Sequence, residues 1–269
     1  MRMSVDRSPD AGINQPYPRL FFWTGQFMYI GKAVDTSIHD HHAIQIAISF
    51  DEAIEIRLPD SSLKFKAAII DSDQPHECRT FDNTFLLLSI APESKIGIAL
   101  KINYLANQKI AELPDEKASE FIGKLKNELN EEQDSNTIFS NTQEFLHAIS
   151  HLEETRILDD RILKVLKLLN QQDDGQVKIN DLAGEVFISP SRLIHLFTDQ
   201  VGIPIRKYVL WTRLLIALQK IIVTKNITRA AIHAGFTDAP HFNRTFKRMF
   251  GLSPSTLLKN SQFIQACRK

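Results

Sequence analysis

The stretch from Ala234 to Pro254, AGFTDAPHFNRTFKRMFGLSP, constrains the fold more than any other part of the chain. Gly235 supplies the left-handed backbone that ends a short helix, and Phe236 follows it as an apolar plug for the corner. A second helix is expected over Ala239 to Phe250, with Phe242, Phe246 and Phe250 four residues apart on one face. Those phenylalanines are core. Asn243, Arg244 and Lys247 then face elsewhere, so a buried stripe and a polar comb share one short helix.

The pattern has an upstream partner, because everything from Asp159 onward has helical spacing. Ile162, Val165, Leu166 and Leu169 form one face of a first helix, and Gly175 falls in the loop after it. Asn180 or Asp181 is the expected cap of a second helix. Ser189-Pro190 opens a third, with a serine N-cap and a proline where the missing N–H costs nothing. That helix turns Leu193, Leu196 and Phe197 inward and ends before Gly202. A long helix from about Pro204 to Thr224 buries Tyr208, Trp211, Leu214, Leu215 and Leu218. Thr228 to Ala234 and Ala239 to Phe250 then repeat the layout of the second and third helices. The C-terminal part, 158–269, thus reads as two helix-turn-helix modules, about 179–201 and 227–250, joined by a long helix. In such modules the second helix enters a DNA major groove.

Charge agrees once the chain is divided. The formal net charge is zero, yet residues 158–269 hold 17 Lys+Arg against 8 Asp+Glu, and residues 1–157 hold 15 against 24. Only the C-terminal part has the electrostatic footprint for phosphates. Cys78 and Cys267 lie too far apart in sequence to suggest a disulfide framework, which fits a reducing cytoplasm. Residues 1–18 read as a polar tail rather than a signal peptide. The most apolar stretch, Val209 to Val223, is broken by Thr212, Arg213, Gln219 and Lys220, so no membrane span is expected.

Residues 19–112 have a different texture, with short apolar runs rich in β-formers: Phe21 to Ile30, Ala43 to Phe50, Ala53 to Leu58, Leu63 to Ile70, Thr84 to Ile90 and Lys95 to Ala99. Ile54, Ile56 and Leu58 share one face of a strand. An antiparallel β barrel or sandwich is expected, and the whole chain is α+β. Residues 113–157 carry two amphipathic helices, with Ala118, Phe121, Ile122, Leu125 and Leu129 on one and Phe145, Leu146, Ile149 and Leu152 on the other, around a polar break from Asn130 to Asn141. They either pack on the β region or form a homodimer interface.

The ordered set Asn180-Asp181-Leu182-Ala183, Ser189-Pro190-Ser191-Arg192-Leu193, Leu196-Phe197, Gly202-Ile203-Pro204, Tyr208, Arg213-Leu214, Ala217, Ala231, Gly235-Phe236 and Phe242 through Pro254 closely resembles the DNA-binding domain of the AraC/XylS family of bacterial transcription regulators. The resemblance covers about 110 residues. It implies double-stranded promoter DNA and RNA polymerase as partners, and an N-terminal cupin-like domain that senses a small effector. Carried over by position, it makes Ser191, Arg192, Ile194 and His195 of the first module, and Ala239, Pro240, His241 and Arg244 of the second, the candidates for reading bases. Arg244 has the best chemistry, since a guanidinium pairs with two guanine acceptors, whereas Ile194, Ala239 and Pro240 offer only apolar contact with thymine methyls. Arg206, Lys207, Arg229, Asn243 and Lys247 are the candidates for phosphate.

His39, His41, His42 and His76 are the other concentrated chemistry. On a strand His39, His41 and Gln45 share a face, with His42 opposite. His-x-His with a third histidine from a later strand is the ligand arrangement of metal-binding cupins, although Gln45 stands where such cupins often place glutamate. A divalent transition metal is one expectation for His39, His41, Gln45 and His76, and an effector pocket is the other. Read alone, these histidines suggest a cupin-type metal-dependent enzyme with an attached helical domain. That reading gives no reason for the basic, duplicated C-terminal part, so a non-enzymatic regulator is the stronger expectation.

Overall fold

In a computed structural model of the chain, the described residues are 19–23, 26–32, 36–79, 83–106, 108–131, 135–151, 158–171, 177–251, 253–259 and 262–263. The tail 1–18, Leu152, Gly175 and Cys267 lie outside them. The run Phe21 to Ile30 is a hairpin of β1 (Arg19–Trp23) and β2 (Gln26–Lys32), in register from Arg19 opposite Ile30 to Trp23 opposite Gln26. Next come β3 (Ile44–Ser49) and β4 (Ile54–Arg57), in which Ile54 and Ile56 are buried and alternate with half-buried Glu55 and Arg57. The run Leu63 to Ile70 splits into β5 (Ser62–Phe65) and β6 (Ala67–Ile70), which join different sheets. The remaining strands are β7 (Glu77–Arg79), β8 (Thr84–Ile90), β9 (Ile110–Glu112) and the short β10 (Gln262–Phe263).

One sheet of seven strands runs β10-β1-β2-β8-β3-β6-β9, and a second of three runs β5-β4-β7. The described pairings are antiparallel apart from β1 with β10. The architecture is therefore two packed, largely antiparallel sheets, joined by a small core of Ile56, Ala68, Ile70, Cys78 and Ile110.

One β expectation is corrected. Lys95 to Ala99 opens helix α1 (Lys95–Tyr104), capped by Ser94, whose hydroxyl accepts from the Gly97 N–H at 3.0 Å. Five apolar-rich residues are too few for periodicity to separate a strand from the first turns of a helix. Helices α2 (Asp115–Asn130) and α3 (Ser135–Ser150) follow, and α3 already occupies most of the polar segment expected as a break. Phe121, Ile122, Leu125, Phe145, Leu146 and Ile149 pack with Phe21, Met28, Ile46, Ile48 and Leu88 of the seven-stranded sheet. The Phe121 and Phe145 rings stack with centroids 4.2 Å apart. These apolar faces are thus spent inside the chain, and a dimer interface built on them is not supported.

The C-terminal part comprises α4 (Asp160–Gln171), α5 (Ile179–Glu185), α6 (Pro190–Val201), α7 (Ile205–Thr224), α8 (Ile227–His233), α9 (Ala239–Phe250) and α10 (Pro254–Lys259). Neither Asn180 nor Asp181 caps α5; Lys178 holds that position without a side-chain bond, so both lie inside the first turn. The Ser189 cap of α6 is as expected, its hydroxyl accepting from the Arg192 N–H. α4, α5, α6 and the start of α7 enclose one core around Leu193, Phe197 and Tyr208. The rest of α7 with α8 and α9 forms a second, and this core also takes in Leu20, Phe22, Phe27, Tyr29 and Phe85 of the sheet. β1 is buried throughout because it is sandwiched: Phe21 and Trp23 face α2 and α3, while Leu20 and Phe22 face α7 to α9.

Candidate nucleic-acid interface and effector pocket

The two reading helices are built alike. In α6, burial of Leu193, Leu196 and Phe197 leaves Ser191, Arg192 and His195 exposed, while Ile194 is half-buried against the core. In α9 the Asp238 carboxylate caps the first turn, accepting from the His241 N–H at 2.6 Å. Phe242, Thr245, Phe246 and Met249 are buried. Pro240, Asn243, Arg244 and Lys247 are exposed, and Ala239 and His241 are half-buried. His241 is held in place, with Nδ1 3.1 Å from Thr237 Oγ1 and its ring edge-on to Phe236 at 5.3 Å. Arg248, one turn beyond Arg244, adds an exposed cation to this end of the helix. It is not among the phosphate candidates named from the sequence, although the i, i+4 spacing from Arg244 signals it. Arg206 and Arg229 are exposed near the starts of α7 and α8.

Lys207 departs from the expectation of a phosphate contact. Its ammonium turns to the N-terminal sheets and pairs with Asp73 and, at 3.3 Å, with Asp40. A lysine held between two carboxylates has its charge already compensated.

The histidines gather as the spacing suggested. His39, His41 and His76 are buried, and one ring nitrogen from each lies within 4.8 Å of the other two. His39 and His76 also form an isolated antiparallel bridge, which brings the segment before β3 onto the segment before β7. Gln45 Oε1 lies 2.9 Å from His76 Nε2, and His42 points away to Glu93, 3.1 Å from its Nε2. Burial holds all three clustered imidazoles below the usual histidine range, His76 to about 3, so they are neutral at pH 7. Beside them opens a small cleft lined by Phe27, Tyr29, Phe85, Leu87 and Phe250 with Thr36, His39, Gln45 and Ser89 at its polar points. Thr36 Oγ1 is buried there without a hydrogen-bond partner. Cys78 also lines the cleft, its thiol pushed up to about 12 by burial and then by Glu77.

A family model described as a helix-turn-helix domain matches residues 182–260, from α5 through α10. The C-terminal helices are an AraC-type helix-turn-helix domain. Among curated proteins the chain is similar to the probable transcriptional regulator LumQ of Photobacterium leiognathi, 24% identical over 227 residues that cover 81% of this chain and 90% of that one. It is also similar to the arabinose operon regulatory protein of Escherichia coli, 32% identical over 100 residues, which cover 36% of this chain and 34% of that protein. An apo structure of ToxT from Vibrio cholerae is similar in fold, with a TM-score of 0.59 at 12% identity, covering 89% of this chain and 98% of that one.

The AraC-type domain is fastened to the sheets along a polar seam as well as through the shared core. Ser37 gives its N–H (3.0 Å) and its hydroxyl (3.1 Å) to the Gly251 carbonyl at the end of α9. The His41 ring stands 6.2 Å from Trp211 and the His42 ring 5.6 Å from Tyr208, both on α7. With the Lys207 ion pairs, the histidine segment contacts α7 and α9 at once. Among the described residues no helix is long and apolar enough to cross a membrane.

Proposed function

We propose that this AraC-type transcription regulator reads promoter DNA with the exposed residues of α6 and α9, and that a small, mainly apolar effector in the cleft controls how α9 is held. The observation that carries the reading is the position of Phe250. It ends the second reading helix and also lines the cleft, its ring 6.2 Å from Phe27 on the sheet. A ligand that displaces this contact acts directly on α9. In this reading Ser191, Arg192, His195, Ala239, Pro240, His241 and Arg244 face base edges, Ile194 only brushes them, and Arg206, Arg229, Asn243, Lys247 and Arg248 meet phosphate.

The cleft's few polar points on an apolar wall suit a ligand with a hydrocarbon body and one polar head. ToxT structures of the same fold are described as bound to an unsaturated fatty acid and to a naphthyl-substituted butenoic acid, which supports an apolar carboxylic acid as the class to test. RNA polymerase is the partner that activation would require, and a homodimer, if formed, uses surfaces other than the apolar faces of α2 and α3. The decisive experiment is selection of bound sequences from a random DNA pool by the full-length chain, repeated with long-chain fatty acids present. A recovered consensus whose occupancy changes with ligand is expected. Retention of DNA without any sequence preference would refute base reading, and a consensus indifferent to ligands that fit the cleft would refute effector control.

A further inference from the structure

We propose that His39, His41 and His76 bind one first-row divalent transition metal ion at the seam with the AraC-type domain, and that its occupancy governs how firmly the end of α9 is held. The donor set is three neutral imidazoles, the ligand type that suits zinc, copper, nickel or iron and not calcium or magnesium. Their hydrogen bonds prepare them for it. His39 Nδ1 lies 2.9 Å from the Ser37 carbonyl, His76 Nδ1 2.8 Å from the Gln74 carbonyl, and His41 Nδ1 3.1 Å from the Ala43 carbonyl. At His39 the Nδ1 that faces a carbonyl carries the proton and leaves the lone pair on Nε2; His41 Nδ1 also accepts from the Ala43 N–H at 3.3 Å and His76 Nε2 also faces the Gln45 Oε1 at 2.9 Å, so an ion would select the Nδ1–H tautomer at those two. Tying the far nitrogen of each imidazole to the backbone fixes ring orientation, the support that metal-bound histidines characteristically have.

A second, independent observation points to a ligand. His41 Nε2 is buried and has no hydrogen-bond partner, although its ring sits among polar neighbours. A buried ring nitrogen left without a partner is costly, and a cation bound to its lone pair would satisfy it. At His76 the Gln45 amide stands where an ion would come, 2.9 Å from Nε2, and would turn aside to become a fourth ligand or to hold a water. Tetrahedral coordination at about 2.0–2.1 Å sets nitrogens about 3.3 Å apart. The present spread of up to 4.8 Å asks for a contraction of at most about 1.5 Å. Binding releases no net proton, because each neutral imidazole keeps its one hydrogen, on Nδ1 once Nε2 holds the ion.

That contraction reaches the DNA-binding domain through one neighbour. His39 follows Ser37, whose N–H and hydroxyl hold the Gly251 carbonyl, and a Cβ on Gly251 would stand 2.7 Å from His39 Nδ1. Movement of His39 toward an ion therefore bears on the last turn of α9.

The test uses untagged full-length protein stripped with chelator and titrated with Co(II). One equivalent should generate visible d–d bands that zinc abolishes. His41→Ala and His76→Ala should lose the bands while His147→Ala, at an exposed position on α3, keeps them. Failure of folded wild-type protein to take up Co(II), or bands that persist in both folded alanine variants, would overturn the site. Where those variants lose their far-UV circular dichroism, the wild-type end point decides alone. Zinc loading should change affinity for the selected DNA by about fivefold or more; equal affinity of loaded and stripped protein would overturn the coupling. The metal site is independent of the proposed DNA readout. Loss of DNA binding by both forms would overturn that readout and leave the Co(II) result to decide the site.

Discussion

Replacing Gly251 by alanine measures how tightly the second reading helix is clamped to the sheets. Two costs add at this position. Its backbone is left-handed, with φ +70°, a conformation that costs an L-residue roughly 1–2 kcal/mol. The new methyl would also meet the Ser37 carbonyl oxygen at 2.6 Å and Thr36 Cβ at 2.7 Å, a backbone atom and the first atom of a half-buried side chain, neither of which a side-chain rotation can move away. Overpacking of this kind typically costs about 1–3 kcal/mol. Gly202 at the end of α6 provides the control: its φ is +88°, but a Cβ there meets nothing within 4 Å. Both substitutions gain about 0.4–1 kcal/mol from a stiffer unfolded chain, which cancels in the comparison. Gly251→Ala should therefore destabilise by about 1–3 kcal/mol more than Gly202→Ala, read as the difference in urea unfolding free energy followed by tryptophan fluorescence. Equal losses would mean that the 36–39 segment yields freely, and the clamp on α9 would be refuted.

The other predictions test readout and burial. Arg244→Ala should relax preference at one base position by about 1–3 kcal/mol, measured by competition between single-base variants of the selected site. Lys247→Ala should weaken all sequences alike and lower the salt slope of binding by about 1, whereas Lys207→Ala, already committed to Asp40 and Asp73, should leave that slope unchanged and lower the unfolding free energy by about 1 kcal/mol. Cys78 should resist iodoacetamide in the native protein at pH 8, since a thiol with its pKa near 12 is ionised in only about one molecule in ten thousand, and peptide mapping would expose any alkylation.

The helices of the DNA-binding domain were legible because their signals are local. Ser189-Pro190, the left-handed glycines Gly202, Gly235 and Gly251, and the four-residue phenylalanine spacing each act within one or two turns, and the helix ends fall where they direct. The histidine cluster was legible in part for the same reason, since a two-residue spacing is enough to align His39 and His41. The seam was not, because its partners are far apart along the chain: Lys207 lies 167 residues from Asp40, and Ser37 lies 214 from Gly251. Nothing near Lys207 distinguishes a lysine that waits for phosphate from one that pairs with carboxylates across the molecule. Gly251 shows the limit most clearly. Its neighbours explain it fully as a helix cap, yet the same absence of a side chain admits the Ser37 carbonyl and the Thr36 and His39 side chains, and only the folded chain reveals that second use. A residue with both duties couples where α9 ends to where the histidines sit, and this is the physical reason why chemistry in the sheets can be felt at Arg244, two turns earlier on the same rigid helix.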